Sequence, residues 1–170
     1  MKTPILLLAN LLWAAAALSG ADAGANNPMD AQAAFARLKT LAGEWEADTA
    51  MGKARLSYEL IAGGTAVVER ESGDKIPAML TVYHLDGGRL LLTHYCMAGN
   101  QPRMQARSFN PATGELQFRF LDGTNLTAGA GHMRNATFRM MDHDHLLTEW
   151  EFYENGQQKF AETARYTRVR

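Results

Sequence analysis

The chain has a single cysteine, Cys96, among its 170 residues, so it cannot form an internal disulfide bond. A domain stapled by disulfides is therefore excluded, and packing must stabilise the fold. The chain also lacks a strong charge, with 17 Lys and Arg against 18 Asp and Glu, interspersed along its length. Because there is no basic block, nucleic acid and anionic membrane surfaces are poor candidates for partners.

The short motifs of common catalytic sites are missing as well. There is no Gly-x-Ser-x-Gly elbow, no phosphate-binding glycine loop and no His-Glu-x-x-His pair. His94 and Cys96 would share one face of a strand, which allows a Cys–His pair, but no third group is positioned beside them. Enzymatic activity is therefore undecided, and a non-catalytic role is favoured.

No apolar run is long enough for a membrane-spanning helix, which needs about 20 residues. The longest run, residues 5–18, follows Lys2 and precedes the small-x-small sequence Ala21-Asp22-Ala23. This pattern predicts a cleaved signal peptide over residues 1–23. Residues 24–170 should then form one soluble domain, periplasmic or secreted, without stable membrane insertion.

One amphipathic helix is predicted near the start of this domain. Asn27 and Pro28 are typical of a helix start. Phe35 and Leu38 recur at helical spacing, and Gly43 can end the helix.

Ten strands are predicted after the helix: residues 44–49, 55–62, 65–71, 78–85, 89–96, 103–110, 115–121, 132–141, 145–153 and 158–168. Most are joined by tight turns, so neighbours in sequence should pair antiparallel. A meander of this many strands leaves the fewest open edges when it closes on itself. The sequence therefore predicts an all-β fold, an antiparallel up-and-down barrel of about ten strands with one N-terminal helix.

A helix that runs into Leu41-Ala42-Gly43-Glu44-Trp45 and precedes such a meander resembles the calycin-type barrels. These include lipocalins, fatty-acid-binding proteins and nitrobindin-like haem barrels. Residues 93–104 also resemble a segment of uncharacterised lipocalin-like proteins exported by bacteria. In lipocalins an arginine near the end of the barrel covers the Gly-x-Trp ring. The resemblance implies this structural role for Gly43 and Trp45, with Arg165 or Arg168 as the arginine.

Two features depart from these families. Lipocalins usually hold the chain end with a disulfide, which one cysteine forbids. Nitrobindin-like barrels are expected to ligate haem through a histidine close to the C-terminus, and residues 158–168 contain none. The haem interpretation is weakened, although another histidine could serve.

Two hairpins decide which side chains share a face between residues 78 and 110. Gly87-Gly88 predicts a two-residue turn, and Gly99-Asn100 is interpreted as a second one. The first turn places His84 and His94 on opposite faces of the sheet. Together the two turns gather the predicted ligand-binding residues on one face: Tyr83, His94, Cys96, Arg103 and Gln105.

If that face lines the barrel interior, a polar cluster lies at one end of an apolar cavity, where it can orient an amphiphile. Arg103 would bind a carboxylate or phosphate head with two hydrogen bonds. In the alternative interpretation, Arg103 and His94 bond to loops and only close the barrel, because small barrels fill their interiors with side chains.

Two other clusters of charged or metal-binding residue types occur in the sequence. The sequence Asp142-His143-Asp144-His145 could hold a divalent metal, but no third ligand is identifiable. Alternating glutamates on two strands are interpreted as a solvated face: Glu69, Glu71, Glu149 and Glu151.

The sequence thus predicts an exported barrel that binds a small apolar or amphiphilic molecule, with no cofactor assigned. The first alternative is a haem or metal protein that uses His94, Tyr83 or the turn at His143 and His145. The others are a non-binding interaction module of the cell envelope and an enzyme for a lipid-like substrate.

Overall fold

The computed structural model describes residues 29–170, so the predicted signal peptide and the helix start at Asn27 and Pro28 lie outside the described residues. The described chain contains one α-helix, α1 (Ala31–Lys39), and a short 3-10 turn at Ala62–Gly64. Its strands are β1 (Gly43–Thr49), β2 (Gly52–Ile61), β3 (Ala66–Gly73), β4 (Met79–Asp86), β5 (Arg89–Tyr95), β6 (Gln101–Asn110), β7 (Glu115–Thr124), β8 (His132–Met140), β9 (His145–Glu154) and β10 (Gln157–Arg168).

The strands form one closed antiparallel barrel in which each strand pairs with its neighbour in sequence. β1 closes the ring against β10, where Trp45 pairs with Arg168 and Glu46 with Thr167. The predicted all-β, up-and-down barrel with one preceding helix is confirmed, and this architecture is consistent with a calycin-like fold. Within residues 29–170, no helix has the length and apolar character needed to cross a bilayer.

Helix α1 has different ends from those predicted. The Asp30 side chain accepts a hydrogen bond from the Ala33 amide at 2.9 Å, so Asp30 is the N-cap. The helix ends at Lys39, and Gly43 begins β1 instead of ending the helix. Phe35 and Leu38 are buried, and the helix packs beside β4, β5 and β6. It therefore covers one end of the barrel.

Trp45 and Arg168 seal the same end. Trp45 is completely buried, and its indole N–H donates to the Leu41 carbonyl at 2.8 Å. The Arg168 guanidinium carbon lies 4.2 Å from the centre of the Trp45 ring. The guanidinium also donates hydrogen bonds to three backbone carbonyls: Thr40, Ala42 and His143.

Arg165 does not take this role, which corrects one of the two arginines proposed from the sequence. Side chains alternate along β10, and Ala164 and Tyr166 are buried, so Arg165 faces outward. Gly43 gives Arg168 its space, because a β-carbon there would lie 2.9 Å from Nη1 of Arg168. Its φ of +125° is also one that L side chains rarely adopt.

The half of the barrel next to α1 is filled with side chains. Tyr83, Phe118 and Phe138 are completely buried, with ring centres 5.8 to 6.1 Å apart. Leu116 and Leu146 are buried on the same inner face, as the alternation of their strands predicts. Any internal space must lie towards the opposite end.

Candidate functional site

A cavity of about 430 Å³ opens at the barrel end opposite α1. The turns between β1 and β2, β3 and β4, and β5 and β6 surround its mouth, and β8, β9 and β10 complete the wall. Most of the lining is apolar, including Met51, Ile76, Met79, Met133, Phe152 and Phe160. Lys75, which is exposed at the rim, and Glu162 are the charged members of the lining.

The β3–β4 loop forms one side of the mouth and is held by backbone hydrogen bonds. The Gly73 amide donates to the Ile76 carbonyl at 3.1 Å, and the Asp74 amide donates to the Lys53 carbonyl at 3.0 Å. A β-carbon at Gly73 would lie 2.5 Å from the Lys53 carbonyl oxygen, so this close approach requires glycine. Ile76 is thereby buried in the cavity wall.

Three glutamates face the interior beneath this cavity, a feature that sequence reasoning missed. Glu69 and Glu71 on β3 pair with Tyr58 and Leu56 of β2, which are both buried inside the barrel. Glu162 on β10 lines the cavity itself. The prediction that Glu69 and Glu71 belong to a solvated face is therefore wrong.

A sequence signal for these glutamates existed in the turn before β3. A two-residue turn at Gly63-Gly64 pairs Tyr58 with Glu69, which is the register that the structure has. The hydrophobic pattern of β3 does not show that the glutamates face inward, because the outward side of the strand carries the apolar Val68 as well as the charged Arg70. The hairpin register was therefore a better guide than the hydrophobic pattern.

Burial controls the protonation of these carboxyls. It raises the pKa of Glu69, which is 3% exposed, while the hydrogen bond from the Tyr83 hydroxyl lowers it. Burial, followed by the charges of Glu69 and Glu162, raises the pKa of Glu71 to about 8. Burial also raises the pKa of Glu162. Glu71 is therefore mainly protonated at neutral pH when the cavity is empty.

Two tyrosines surround Glu69. The Tyr83 hydroxyl donates to Oε2 of Glu69 at 2.7 Å in a fully buried hydrogen bond. Tyr58, which is 3% exposed, lies directly across from Glu69, and its buried hydroxyl has no hydrogen-bond partner in the described chain. Burial raises the pKa of both tyrosines well above the usual value, so both hydroxyls keep their protons.

His94 lies next to this group on the inner face. Its Nδ1 is 3.0 Å from Oγ1 of Thr81, and its ring centre is 4.9 Å from that of Trp150. Its Nε2 is buried without a hydrogen-bond partner among residues 29–170. Burial lowers the pKa of His94 to about 4, so the imidazole is neutral at neutral pH.

The structure brings together only part of the set of ligand-binding residues predicted from the sequence. Three side chains face the interior: Tyr83, His94 and Cys96. Of these, Cys96 lines the cavity. Arg103 and Gln105 lie on the outer face, where Arg103 donates two hydrogen bonds to the carboxylate of Asp122. The prediction that all five residues share one face is wrong.

The length and position of the β5–β6 turn explain the difference. The Cys96 amide donates to the Asn100 carbonyl at 3.1 Å, so three residues, not two, form the loop between them. Gly99 adopts a positive φ of 79° in this loop. Thr93 consequently pairs with Arg103. The predicted turn would have paired Thr93 with a residue three positions further along β6, and a shift by an odd number of residues moves each side chain to the other face of the sheet.

The acidic turn considered as a metal site is held by its own hydrogen bonds. The Asp142 carboxylate accepts from the amides of Asp144 and His145 at 2.8 Å each. His143 Nδ1 lies 2.7 Å from Asp144, and His145 Nδ1 lies 2.9 Å from Asp142. In the part of the chain that the structure describes, no group of three or more His, Cys, Asp or Glu side chains is arranged to hold a metal ion.

No profile of a known protein family matches the sequence, and no curated protein matches it. Geometry alone therefore indicates what the site can do. An apolar cavity above interior carboxyl and hydroxyl groups can hold a small molecule whose apolar body fills the mouth and whose polar head points inward.

Proposed function

We propose that this chain binds a small apolar or amphiphilic molecule in the cavity opposite α1. The observation that carries the proposal is a cavity of about 430 Å³ with a largely apolar lining, in a barrel whose other half is solidly packed. Sites for small molecules typically have about 300–1,000 Å³. Burial of a ligand's apolar surface contributes about 25 cal/mol per Å², which supplies the main binding energy.

The rim of the cavity supports entry from solvent. Met51, Met97 and Phe160 line the cavity, and they are 40%, 66% and 48% exposed. Large apolar side chains with this exposure at one opening are a common feature of binding sites. An apolar guest would contact these side chains first and then replace water inside the barrel.

We also propose that the protein is an exported carrier of the lipocalin type, acting in the periplasm or after secretion. The signal-peptide pattern of residues 1–23 and the Gly43-x-Trp45 sequence support this proposal. Fractionation of the source cell, followed by N-terminal sequencing, tests it. A cytoplasmic protein that keeps Met1 would contradict it.

Cys96 offers a direct test of binding because it is the chain's single cysteine and lines the cavity. N-phenyl-1-naphthylamine, an apolar dye uncharged at pH 7, should bind the unmodified protein with increased fluorescence. Complete labelling with N-phenylmaleimide, verified by mass, should weaken dye binding at least tenfold. The Cys96→Ala variant treated with the same reagent is the matched control and should keep its affinity. Labelled protein that binds the dye as well as unlabelled protein would overturn the proposal.

Haem binding is the second candidate because Nε2 of His94 is buried without a partner among residues 29–170. Haem fits this site less well than an apolar ligand does, since His94, which would have to ligate the iron, does not line the cavity. Titration with haemin tests this candidate: a Soret band shift that disappears in His94→Ala would support it, and an identical spectrum in both proteins would contradict it.

A further inference from the structure

The carboxyl groups beneath the cavity have no cationic partner in the described chain. Within residues 29–170, no Lys, Arg or His nitrogen lies within 4.0 Å of a carboxylate oxygen of Glu69, Glu71 or Glu162. The outer face differs, since Glu115 there pairs with Arg139 at 2.7 Å. The interior carboxyls therefore lack a cationic partner, because the pKa of His94 is lowered to about 4 and Lys75 lies exposed at the rim.

These carboxyls are next to the cavity. Glu162 is part of its wall. Glu71 pairs with Met79, another wall residue, and the Glu71 charge contributes to the raised pKa of Cys96, which also lines the cavity. Glu162 and Glu71 are in turn close enough for the charge of one to raise the pKa of the other. A polar head that enters the cavity would therefore meet Glu162 first and Glu71 next.

An unpartnered hydroxyl group lies beside these carboxyls on the inner face of the barrel. Tyr58 is 3% exposed and lies across from Glu69 on the inner face, and its hydroxyl lacks a hydrogen-bond partner in residues 29–170. A buried hydroxyl without a partner costs about 1–3 kcal/mol, which a ligand or a water molecule can recover. A hydroxyl oxygen beside carboxyls can accept hydrogen bonds from an N–H donor.

We infer that this cavity selects amphiphiles with a cationic nitrogen head, such as an ammonium group, which Glu162 and Glu71 hold while the apolar tail fills the mouth. This inference rests on the proposed function, since it names the ligand class of the same cavity. An ammonium provides the charge that the interior lacks, whereas a carboxylate or phosphate head would add like charge in a poorly solvated space. The anionic ligand expected from Arg103 is thereby replaced, because Arg103 lies outside the barrel.

Binding of such a head is coupled to release of a proton. The empty site keeps Glu71 largely protonated at neutral pH, because burial and two neighbouring carboxylates raise its pKa to about 8. An ammonium beside it favours the carboxylate, so neutral Glu71 plus R–NH₃⁺ gives the ion pair and one proton in solvent. The titratable groups that face Glu71 are Glu69 on its own strand, Tyr58 on β2, Tyr83 on β4, Cys96 after β5, and Glu162 and Tyr166 on β10. None of them is a lysine, arginine or histidine, so no cationic side chain competes with the ammonium for Glu71.

Three ligands with one tail and different heads test the inference. Decylammonium and decanoate below their micellar concentrations, and decan-1-ol below its solubility limit, would compete with N-phenyl-1-naphthylamine at pH 6, 7 and 8. We expect decylammonium to bind at least tenfold more tightly than decanoate at pH 8, and its affinity to rise at least tenfold from pH 6 to pH 8. Decan-1-ol should show little dependence on pH.

Variants then assign the preference to the named carboxyls. Glu71→Gln combined with Glu162→Gln should remove the preference for decylammonium and keep decan-1-ol binding within about threefold. Glu44→Gln is the matched control, since Glu44 is an exposed glutamate of the same barrel, and it should behave as wild type. Circular dichroism and a urea unfolding curve establish that each variant is folded.

The outcomes separate the two proposals. If decan-1-ol binds and decanoate binds as tightly as decylammonium, the charge inference is overturned and the binding function stands. A preference for decylammonium that survives in the double variant also overturns the assignment to Glu71 and Glu162. If the dye binds and decylammonium does not displace it, the charge inference is likewise overturned. If neither the dye nor any of the three ligands binds, the proposed function itself fails.

Discussion

Tyr83 and Glu69 are joined by a fully buried hydrogen bond of 2.7 Å between adjacent strands. This bond fixes Glu69 and gives one oxygen of its carboxyl a partner. Glu71 and Glu162 have no ion-pair partner within residues 29–170. Glu162 lines the cavity, and Glu71 lies just behind the lining, where it pairs with the wall residue Met79. The acids therefore divide into one that supports the barrel and two that are available to a ligand.

Removal of the Tyr83 hydroxyl should destabilise the protein. Tyr83→Phe leaves a buried carboxyl without its donor, and we expect the free energy of unfolding to fall by about 1–3 kcal/mol in urea denaturation. Tyr95→Phe is the control, because Tyr95 is 47% exposed, and its effect should stay within about 0.5 kcal/mol. Equal effects of the two substitutions would contradict the role of the Tyr83–Glu69 bond.

Stability should fall as pH rises through the titration of Glu71. Its pKa is raised from the ordinary 4.5 to about 8 in the folded protein. The contribution of Glu71 to the free energy of unfolding is therefore complete below about pH 4.5 and is lost as pH rises towards 8. The change is at most about 5 kcal/mol. Glu71→Gln should abolish most of this fall, as measured by urea unfolding at pH 5, 7 and 9. A wild-type protein that is as stable at pH 9 as at pH 5 would contradict this expectation.

The histidine inside the barrel should titrate far from its usual range. Burial lowers the pKa of His94 to about 4, below the ordinary 6.5, so stability is lost as pH falls from about 6.5 through 4. NMR titration of the imidazole, assigned with His94→Gln, measures this directly. A midpoint near 6.5 would show that His94 is solvated and would contradict its placement.

The two candidate arginines for the barrel end differ in their expected effects. Arg168→Ala removes the contact with Trp45 and three charge-assisted hydrogen bonds, and should lower the free energy of unfolding by about 2–4 kcal/mol. Arg165→Ala, on the outer face of the same strand, should change it by less than about 0.5 kcal/mol. Thermal or urea unfolding compares them. The reverse order of effects would contradict the assignment of Arg168.

Local patterns were sufficient to predict the architecture. The sequence Gly87-Gly88 placed Tyr83 opposite Leu92 and Thr81 opposite His94, and the structure has this register. A tight turn with glycine at the position of positive φ allows few alternatives, so its register can be read from sequence. The same reasoning predicted the barrel, because nearly every connection is short.

The candidate site was not predictable in the same way. Its composition depends on whether the β5–β6 turn contains two residues or three, and both lengths are common in hairpins. The length and position of that turn together decide whether Arg103 points inward or outward. Glu69 and Glu71 were missed because an alternating charged residue is more often solvated than buried. Only the pairing of β3 with Tyr58 and Leu56 shows that they are inside.

Calorimetric titration of the protein with decylammonium at pH 7 tests the central claim most directly, when it is repeated in buffers of low and high ionisation enthalpy. The difference in apparent binding enthalpy gives the number of protons released. We expect saturable binding with release of most of one proton, because Glu71 has a pKa of about 8 in the empty cavity, and no release from the Glu71→Gln variant. Binding without proton release, or release unchanged in Glu71→Gln, would contradict the account.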